Sequence, residues 1–453
     1  MTLMPFTDSM FLLVESREHP MHVGGLQLFR TPEGADRDFL RGLREDLVKN
    51  DDIPTQFRRH PARPVNSIGY LAWAQDDNVD LDYHFRHSAL PQPGRVRELL
   101  ELTSRWHSTL LDRHRPLWEI HLVEGLHDGR FAMYSKIHHA LMDGVSALKH
   151  LQSTLSADPD DHECPPPWGR PRPVRPKPAR STGSTLHTAR SSVEQLAGLA
   201  PAALKLAREA FRENALTLPM QAPRTMLNVP IGGARRFAAQ SWPLERVRTV
   251  AHASGTSRND VVLAMCAGAL RDYLIEQSAL PDDPLVAMVP VSMRKQSDGP
   301  GSGNQIGAVL ANLATDKKDP AARLSTIHHS MREAKRIFKQ LTPIQALLLS
   351  GLNVAQLGIS TVPGVVGSTR PPFNLVISNV PGPRQQMYWN GAKLDGIYPA
   401  SVLLDGQALN ITVTSTGENL DFGITGCRRS VPHLQRVLLH LDTALSELES
   451  AVR

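Results

Sequence analysis

Cysteine is nearly missing from this chain. Three in 453 residues, an odd number, exclude a disulfide framework and make a reducing compartment the default. Also missing is a clean apolar run of 18 residues, so no segment reads as a membrane span. The N-terminus has no positive n-region, and its apolar run Met10–Val14 is bounded by Asp8 and Glu15, so no targeting segment is expected. No G-x-S-x-G elbow occurs, which leaves a hydrolase-type serine unsupported. The loop Gly299–Gly303 lacks G-x-G-x-x-G spacing and a strand–turn–helix setting, so it reads as a flexible loop and no dinucleotide cofactor is expected. What remains is an ordinary globular composition, 41% hydrophobic and 21% charged, which excludes a disordered chain or a coiled coil. At about 100–200 residues per domain the length implies two or three domains.

The formal net charge of +5 invites a nucleic-acid reading. Six basic residues (Arg170, Arg172, Arg175, Lys177, Arg180 and Arg190) fall within 165–193, which holds no acidic residue, and without them the chain stands at −1. Counting the acidic residues just upstream (Asp158, Asp160, Asp161 and Glu163) with that segment leaves the remainder at +3. Either way the largest local excess is one segment, not a basic face on a folded domain, and no nucleic-acid partner is expected. Seven prolines lie between Cys164 and Pro178, so this stretch reads as an exposed, extended connector. It divides the chain into a first lobe at 1–160, a linker with a connecting helix at 161–215, and a second lobe at 216–453.

Both lobes read as α/β. In the first, hydrophobic patterning predicts strands at Val23–Phe29, Leu117–Val123 and Arg130–Ile137, and helices at Asp36–Val48 and Val96–Leu111. In the second it predicts helices at Leu244–Ala253, Asn259–Ile275 (capped by Ser257), Ala321–Phe338 and His433–Leu448. Strands are predicted at Leu285–Val291, Ile306–Leu313, Asn374–Ser378, Asn410–Ser415 and Asp421–Thr425. No sequence repeat relates the lobes.

One motif stands out: His138-His139-Ala140-Leu141-Met142-Asp143-Gly144, directly after the apolar strand that ends at Ile137. Neighbouring side chains on an extended chain point to opposite sides, so at most one imidazole faces a given cavity and can serve as base, while the other packs inside. On spacing alone, a His-His pair at a strand end is more often structural than catalytic. Asp143 either caps the following helix or pairs with an arginine, for which Arg294 is a guess. A metal site is a third reading, disfavoured because no further His or Cys cluster of ligand spacing lies nearby.

These residues resemble the HHxxxDG signature of the chloramphenicol acetyltransferase-like and condensation-domain superfamily. More closely, the chain resembles the bacterial wax ester synthase/diacylglycerol acyltransferase family. Its opening through Pro20–Gly24, then Pro116-Leu117-Trp118-Glu119 (a PLW motif), Asn259-Asp260 (an ND motif), Val289–Arg294 and Ser378–Pro383 follow in the family's order. The resemblance implies two chloramphenicol acetyltransferase-like lobes with an active-site tunnel at their interface. It implies His139 as general base, His138 as its structural support, and Asp143 and Gly144 as the turn that aims the motif. The reaction implied is transfer of a long acyl chain from acyl-CoA, a substrate and not a cofactor, to diacylglycerol or a fatty alcohol. No covalent acyl-enzyme and no metal are implied. A neutral imidazole suits the task, since it can take the hydroxyl proton as the oxygen attacks the thioester.

The oxyanion needs a donor, and Asn259, Ser378 and Asn379 are the candidates, with capping or turn chemistry as the competing role of each. Trp118 reads as packing, and Asp260 as a structural carboxylate. The uncharged stretch Gln340–Thr369 reads as a buried helix, a wall of the acyl tunnel, or a membrane-facing element. A cytoplasmic protein held peripherally at a membrane or lipid-droplet surface is expected. Amide formation by a condensation-type enzyme, and a non-catalytic lipid-binding protein on the same scaffold, are the alternative functions.

Overall fold

A computed structural model describes residues 1–36, 38–49, 52–63, 72–170, 222–292, 306–340 and 370–452. Two six-stranded sheets carry the molecule, with a small third sheet built from β1 (Thr2–Leu3), β3 (Arg59–Ala62) and β4 (Ala72–Gln75). The first large sheet has the order β12 (Tyr388–Trp389), β13 (Ala392–Ala400), β2 (His22–Arg30), β7 (Arg130–His138), β6 (Trp118–Glu124), β5 (Phe85–Ala89). Alternation along its strands feeds two cores. Val23, Phe29, Phe131, Met133 and Ile137 face α2 (Phe39–Val48) and α5 (Gly144–Ser153), while Leu26, Leu28, Ala132 and Tyr134 face α4 (Val96–Ser108).

The second large sheet has the order β10 (Ile306–Asn312), β9 (Val286–Ser292), β11 (Leu375–Val380), β14 (Leu409–Thr416), β15 (Asn419–Cys427), β8 (Arg235–Pro243), with β9, β11 and β14 parallel. Packed with it are α6 (Leu244–Ser254), α7 (Arg258–Glu276), α8 (Pro320–Gln340) and α9 (Arg436–Ala451). Central α7 is apolar along most of its length and buried from Asp260 to Arg271. A Cβ on its Gly268 would lie 2.8 Å from Ala444 Cβ, so glycine is what lets α7 and α9 touch.

The sheets are interlocked. Tyr388–Ala400 leaves the second half of the chain and adds two strands to the first sheet, so a boundary at 216 does not separate them. Ala392–Ala400 escaped the sequence reading because Asp395-Gly396 looks like a turn. In the structure it is a bulge, where the register against β2 shifts between Leu394 and Gly396. Phe85–Ala89 and Arg235–Pro243, too mixed for a clean alternation, were missed as well. Edge strand β8 is fastened to the first lobe through main-chain donors: Arg235 N–H reaches Ser108 Oγ at 2.8 Å and Phe237 N–H reaches Ser104 Oγ at 2.9 Å, both serines on α4.

The expectation of an exposed connector fails at its beginning. Cys164 and Pro166–Gly169 are buried, and Trp168 is wholly enclosed, with ring centroids 5.0 Å from Phe85 and 5.8 Å from Trp118. An indole outweighs the prolines around it, because burying so large an apolar surface gains more than leaving it in water. The rest of the basic segment and of the 161–215 linker, with its expected connecting helix, lies outside the described residues, as do Arg294, Gly299–Gly303 and 341–369. All three cysteines are buried and free. Among the described residues no helix is long and apolar enough to cross a membrane.

Candidate active site

His138 closes β7, and the two motif histidines part company there. His138 is fully buried. Its main-chain N–H donates to the Leu117 carbonyl at 3.0 Å, its Nδ1 accepts the Ala140 N–H at 3.1 Å, and its Nε2 faces Glu15 Oε1 at 3.3 Å. His139 is half-buried, its main-chain N–H bound to the Met21 carbonyl at 2.8 Å and its ring stacked on Phe11, centroids 4.1 Å apart and planes 24° from parallel. Burial lowers the His139 pKa from its ordinary value, Asp143 pulls the other way, and His138 adds to the lowering. The net lowering favours the neutral imidazole, the form a general base needs.

Asp143 resolves into a cap. As N-cap of α5 it accepts the Ser146 N–H at 2.8 Å and the Ser146 hydroxyl at 2.9 Å. Gly144 opens α5 with nothing crowding it, since a Cβ there would meet only Val23 at an ordinary 3.5 Å. The PLW residues form the floor: Pro116 accepts the Trp118 N–H at 2.9 Å, Leu117 holds His138, and Trp118 donates its indole N–H to the Phe57 carbonyl at 2.8 Å while stacking on His84 at 4.4 Å. Trp118 is fully buried, a packing residue.

Of the oxyanion candidates, two come together. Asn379, near the end of β11, donates from Nδ2 to Asn259 Oδ1 in the first turn of α7 at 3.3 Å. Ser378 is half-buried and stands opposite Thr412 on β14. Asp260 closes a capping box with Ser257 and pairs with His328 Nδ1 at 2.8 Å, which makes it a structural carboxylate.

The histidines and the end of β11 share one seam. His138 stands opposite His22, and two residues along β2 Gly24 stands opposite Ala400. The next residue, Ser401, binds Thr412 Oγ1 through its hydroxyl at 2.9 Å, and Thr412 is the register partner of Ser378. His107, pushed down to about 3 by burial, ties the seam to α4 by contacting the Ser401 carbonyl at 3.2 Å and the Tyr134 hydroxyl at 2.8 Å. A cavity of about 420 Å³ also lies between the lobes, lined by Leu26, Leu99, Leu100, Ala239, Tyr398 and others, but no candidate site residue lines it.

Relatives match this chain over its whole length. Residues 4–262 match the wax ester synthase/diacylglycerol acyltransferase catalytic domain, and residues 302–449 match the C-terminal domain of the same family. The chain belongs to the wax ester synthase/diacylglycerol acyltransferase family. It is 58% identical to a probable diacylglycerol O-acyltransferase of Mycobacterium tuberculosis across 100% of both chains. To the O-acyltransferase WSD of Acinetobacter baylyi it is 43% identical, covering 98% of this chain and 96% of that one. The solved wax ester synthase/diacylglycerol acyltransferase from Marinobacter aquaeolei VT8 superposes with a TM-score of 0.79 at 42% identity over the full length of both. A condensation domain of the CDA synthetase shares the fold alone, at TM-score 0.58 and 16% identity.

Sequence reasoning gave no role to Phe11, Glu15 and Arg113, and read Met21 only as part of the family-like opening. For Phe11 and Glu15 the signal was an aromatic and an acid four residues apart at the end of an apolar run, a helical spacing in a segment that otherwise counted as lacking a leader and as resembling the family's opening.

Proposed function

We propose that this family member is an acyl-CoA-dependent O-acyltransferase that moves a long acyl chain to the hydroxyl of diacylglycerol or a fatty alcohol. The single observation that carries the mechanism is His139 standing half-buried at the seam between the lobes, its ring stacked on Phe11, where burial lowers its pKa and favours the neutral form. In this reading the neutral His139 imidazole takes the hydroxyl proton as the alcohol oxygen attacks the thioester carbonyl. The oxyanion is met by the Asn259–Asn379 amide pair or by Ser378, the C–S bond breaks, and the imidazolium returns its proton to the CoA thiolate. The ester and free CoA leave, and no acyl-enzyme forms. Since both substrates must be present together, a tunnel along the seam would hold them in line.

Thiol release from palmitoyl-CoA is the test, with hexadecanol, a diacylglycerol or an amine as acceptor. Release only with the alcohol acceptors is expected. Release with the amine alone would assign a condensation-type amide synthase, and no release with any acceptor would leave a lipid-binding scaffold.

We also propose that the enzyme associates peripherally with an anionic membrane or lipid-droplet surface through the basic segment within 165–193. Support comes from its charge, at about 1 kcal/mol per basic residue near an anionic bilayer, and from Leu3, Met10 and Leu13 standing exposed at the N-terminus. Neutralising Arg170, Arg172, Arg175, Lys177 and Arg180 should sharply reduce co-sedimentation with phosphatidylserine vesicles at low salt. Unchanged binding would remove the idea.

A further inference from the structure

The turn of chain that ends in Glu15 touches both histidines of the motif. α1 (Phe6–Val14) ends on Glu15, whose N–H bonds the Phe11 carbonyl at 3.2 Å, so Phe11 and Glu15 lie one helical turn apart on one face. Phe11 covers one face of the His139 ring. The Glu15 carboxylate is almost wholly buried. Its Oε1 accepts the Met21 N–H at 3.0 Å and faces His138 Nε2 at 3.3 Å, and its Oε2 takes Arg113 Nε at 3.1 Å and Nη2 at 2.9 Å. Met21 in turn offers its carbonyl to the His139 N–H. One carboxylate therefore faces the His138 side chain directly and is linked to the His139 N–H through the main chain of Met21, whose N–H and C=O bond to either side. Arg113 locks the arrangement to the helix by also donating to the Leu12 carbonyl at 2.8 Å.

We infer that α1 and its terminal Glu15 form a positioning clamp for the general base, with Phe11 fixing the plane of the His139 ring and Glu15 fixing the strand end that carries it. The inference rests on His139 being the base. Physically, the stack does two things. It bars water from one ring face, which favours the uncharged imidazole, and it confines the acceptor hydroxyl to an approach in the plane of the ring, where the unprotonated nitrogen's lone pair points. Glu15 does a third. Because His138 Nδ1 already accepts the Ala140 N–H, the proton of His138 sits on Nε2, opposite the carboxylate, and that tautomer keeps the turn into Ala140 closed. Burial raises the Glu15 pKa, and His138, the Met21 N–H and Arg113 together outweigh this, so it stays ionised. The titratable groups acting on His139 are Asp143 and His138, with Glu15 and Arg113 behind them.

The test uses the full chain and follows palmitoyl transfer to hexadecanol across pH. Phe11→Ala should lower kcat by about ten- to a hundredfold, leave both KM values within about twofold, and move the acid limb of kcat/KM to higher pH as water reaches the ring. Phe11→Tyr, which keeps the ring, should restore the limb and most of kcat. Glu15→Gln keeps an acceptor for the Met21 N–H but loses the charge, and should lower kcat with KM unchanged. His139→Ala is run alongside. If it stays active, the assignment of the base fails; if it is dead while Phe11→Ala keeps the wild-type limb and kcat, the clamp is overturned. Should Glu15→Gln fail to fold, the Phe11 pair decides alone.

Discussion

His139→Ala lowers kcat by about a thousandfold, within the 10²–10⁴ that a positioned general base supplies, while thermal unfolding shifts by little. The two readouts separate because of where the ring sits. It is half-buried against Phe11, so truncation forfeits a stack worth about 1 kcal/mol and leaves the main-chain bond to Met21 intact. His138→Ala is the counterpart. That ring is fully buried, accepts the Ala140 N–H and faces Glu15, so its loss strands a donor and a carboxylate and costs about 3 kcal/mol. The pH profile follows by sign. Burial lowers the His139 pKa, so the active neutral form persists below the ordinary value of 6.5 and rate falls only as pH drops through the lowered pKa. Steady-state kinetics from pH 5 to 8, with calorimetry on the same samples, decides both points. A His139→Ala enzyme that folds and keeps its rate would refute the assignment.

Glu119→Ala destabilises the fold by about 3–5 kcal/mol, the cost of leaving a buried charge without its partner. Glu119 follows the PLW residues and stands directly across from Lys136 in the β6–β7 register. The Lys136 side chain is wholly enclosed, its Nζ 3.2 Å from Glu119 and bonded to the carbonyls of Trp106 at 3.2 Å and Thr109 at 3.0 Å. Burial pulls the Lys136 pKa down and Glu119 only partly offsets this. For Glu119, burial pushes upward, but His121, Lys136 and Arg86 prevail and bring it down to about 2. A depressed carboxylate adds stability that is present above its ordinary value of 4.5 and is lost as pH falls toward about 2. The double variant Glu119→Ala with Lys136→Met removes both charges and should regain most of the lost stability, as buried pairs replaced by apolar groups often do. Urea melts of the two single variants and the pair provide the cycle. A double variant no better than the single would show that the carboxylate is not there to neutralise Lys136.

Legibility in the sequence followed periodicity. Apolar strands such as Arg130–His138 and the all-round apolar α7 were plain, and so was the parting of His138 from His139, because adjacent side chains on a strand must diverge. What failed was either local chemistry with two meanings or contact across long separations. Asp395-Gly396 signals a turn and is used as a bulge, and a proline run signals exposure while Trp168 pins its start inside. The Glu15–His138 and Asn259–Asn379 contacts span more than a hundred residues, and the spacing of neither pair in sequence encodes their meeting.

The interlocked sheets set a schedule for making this protein. β7 ends at His138, yet its sheet is not complete until the chain has grown roughly 260 residues further, to Ala400. At 5–20 residues per second that interval is about 13–50 s, during which β2 offers a bare strand edge to whatever is nearby. Newly made chains should therefore depend on chaperones that shield such an edge. The first half, expressed alone, would carry the histidine motif on a sheet permanently open for aggregation.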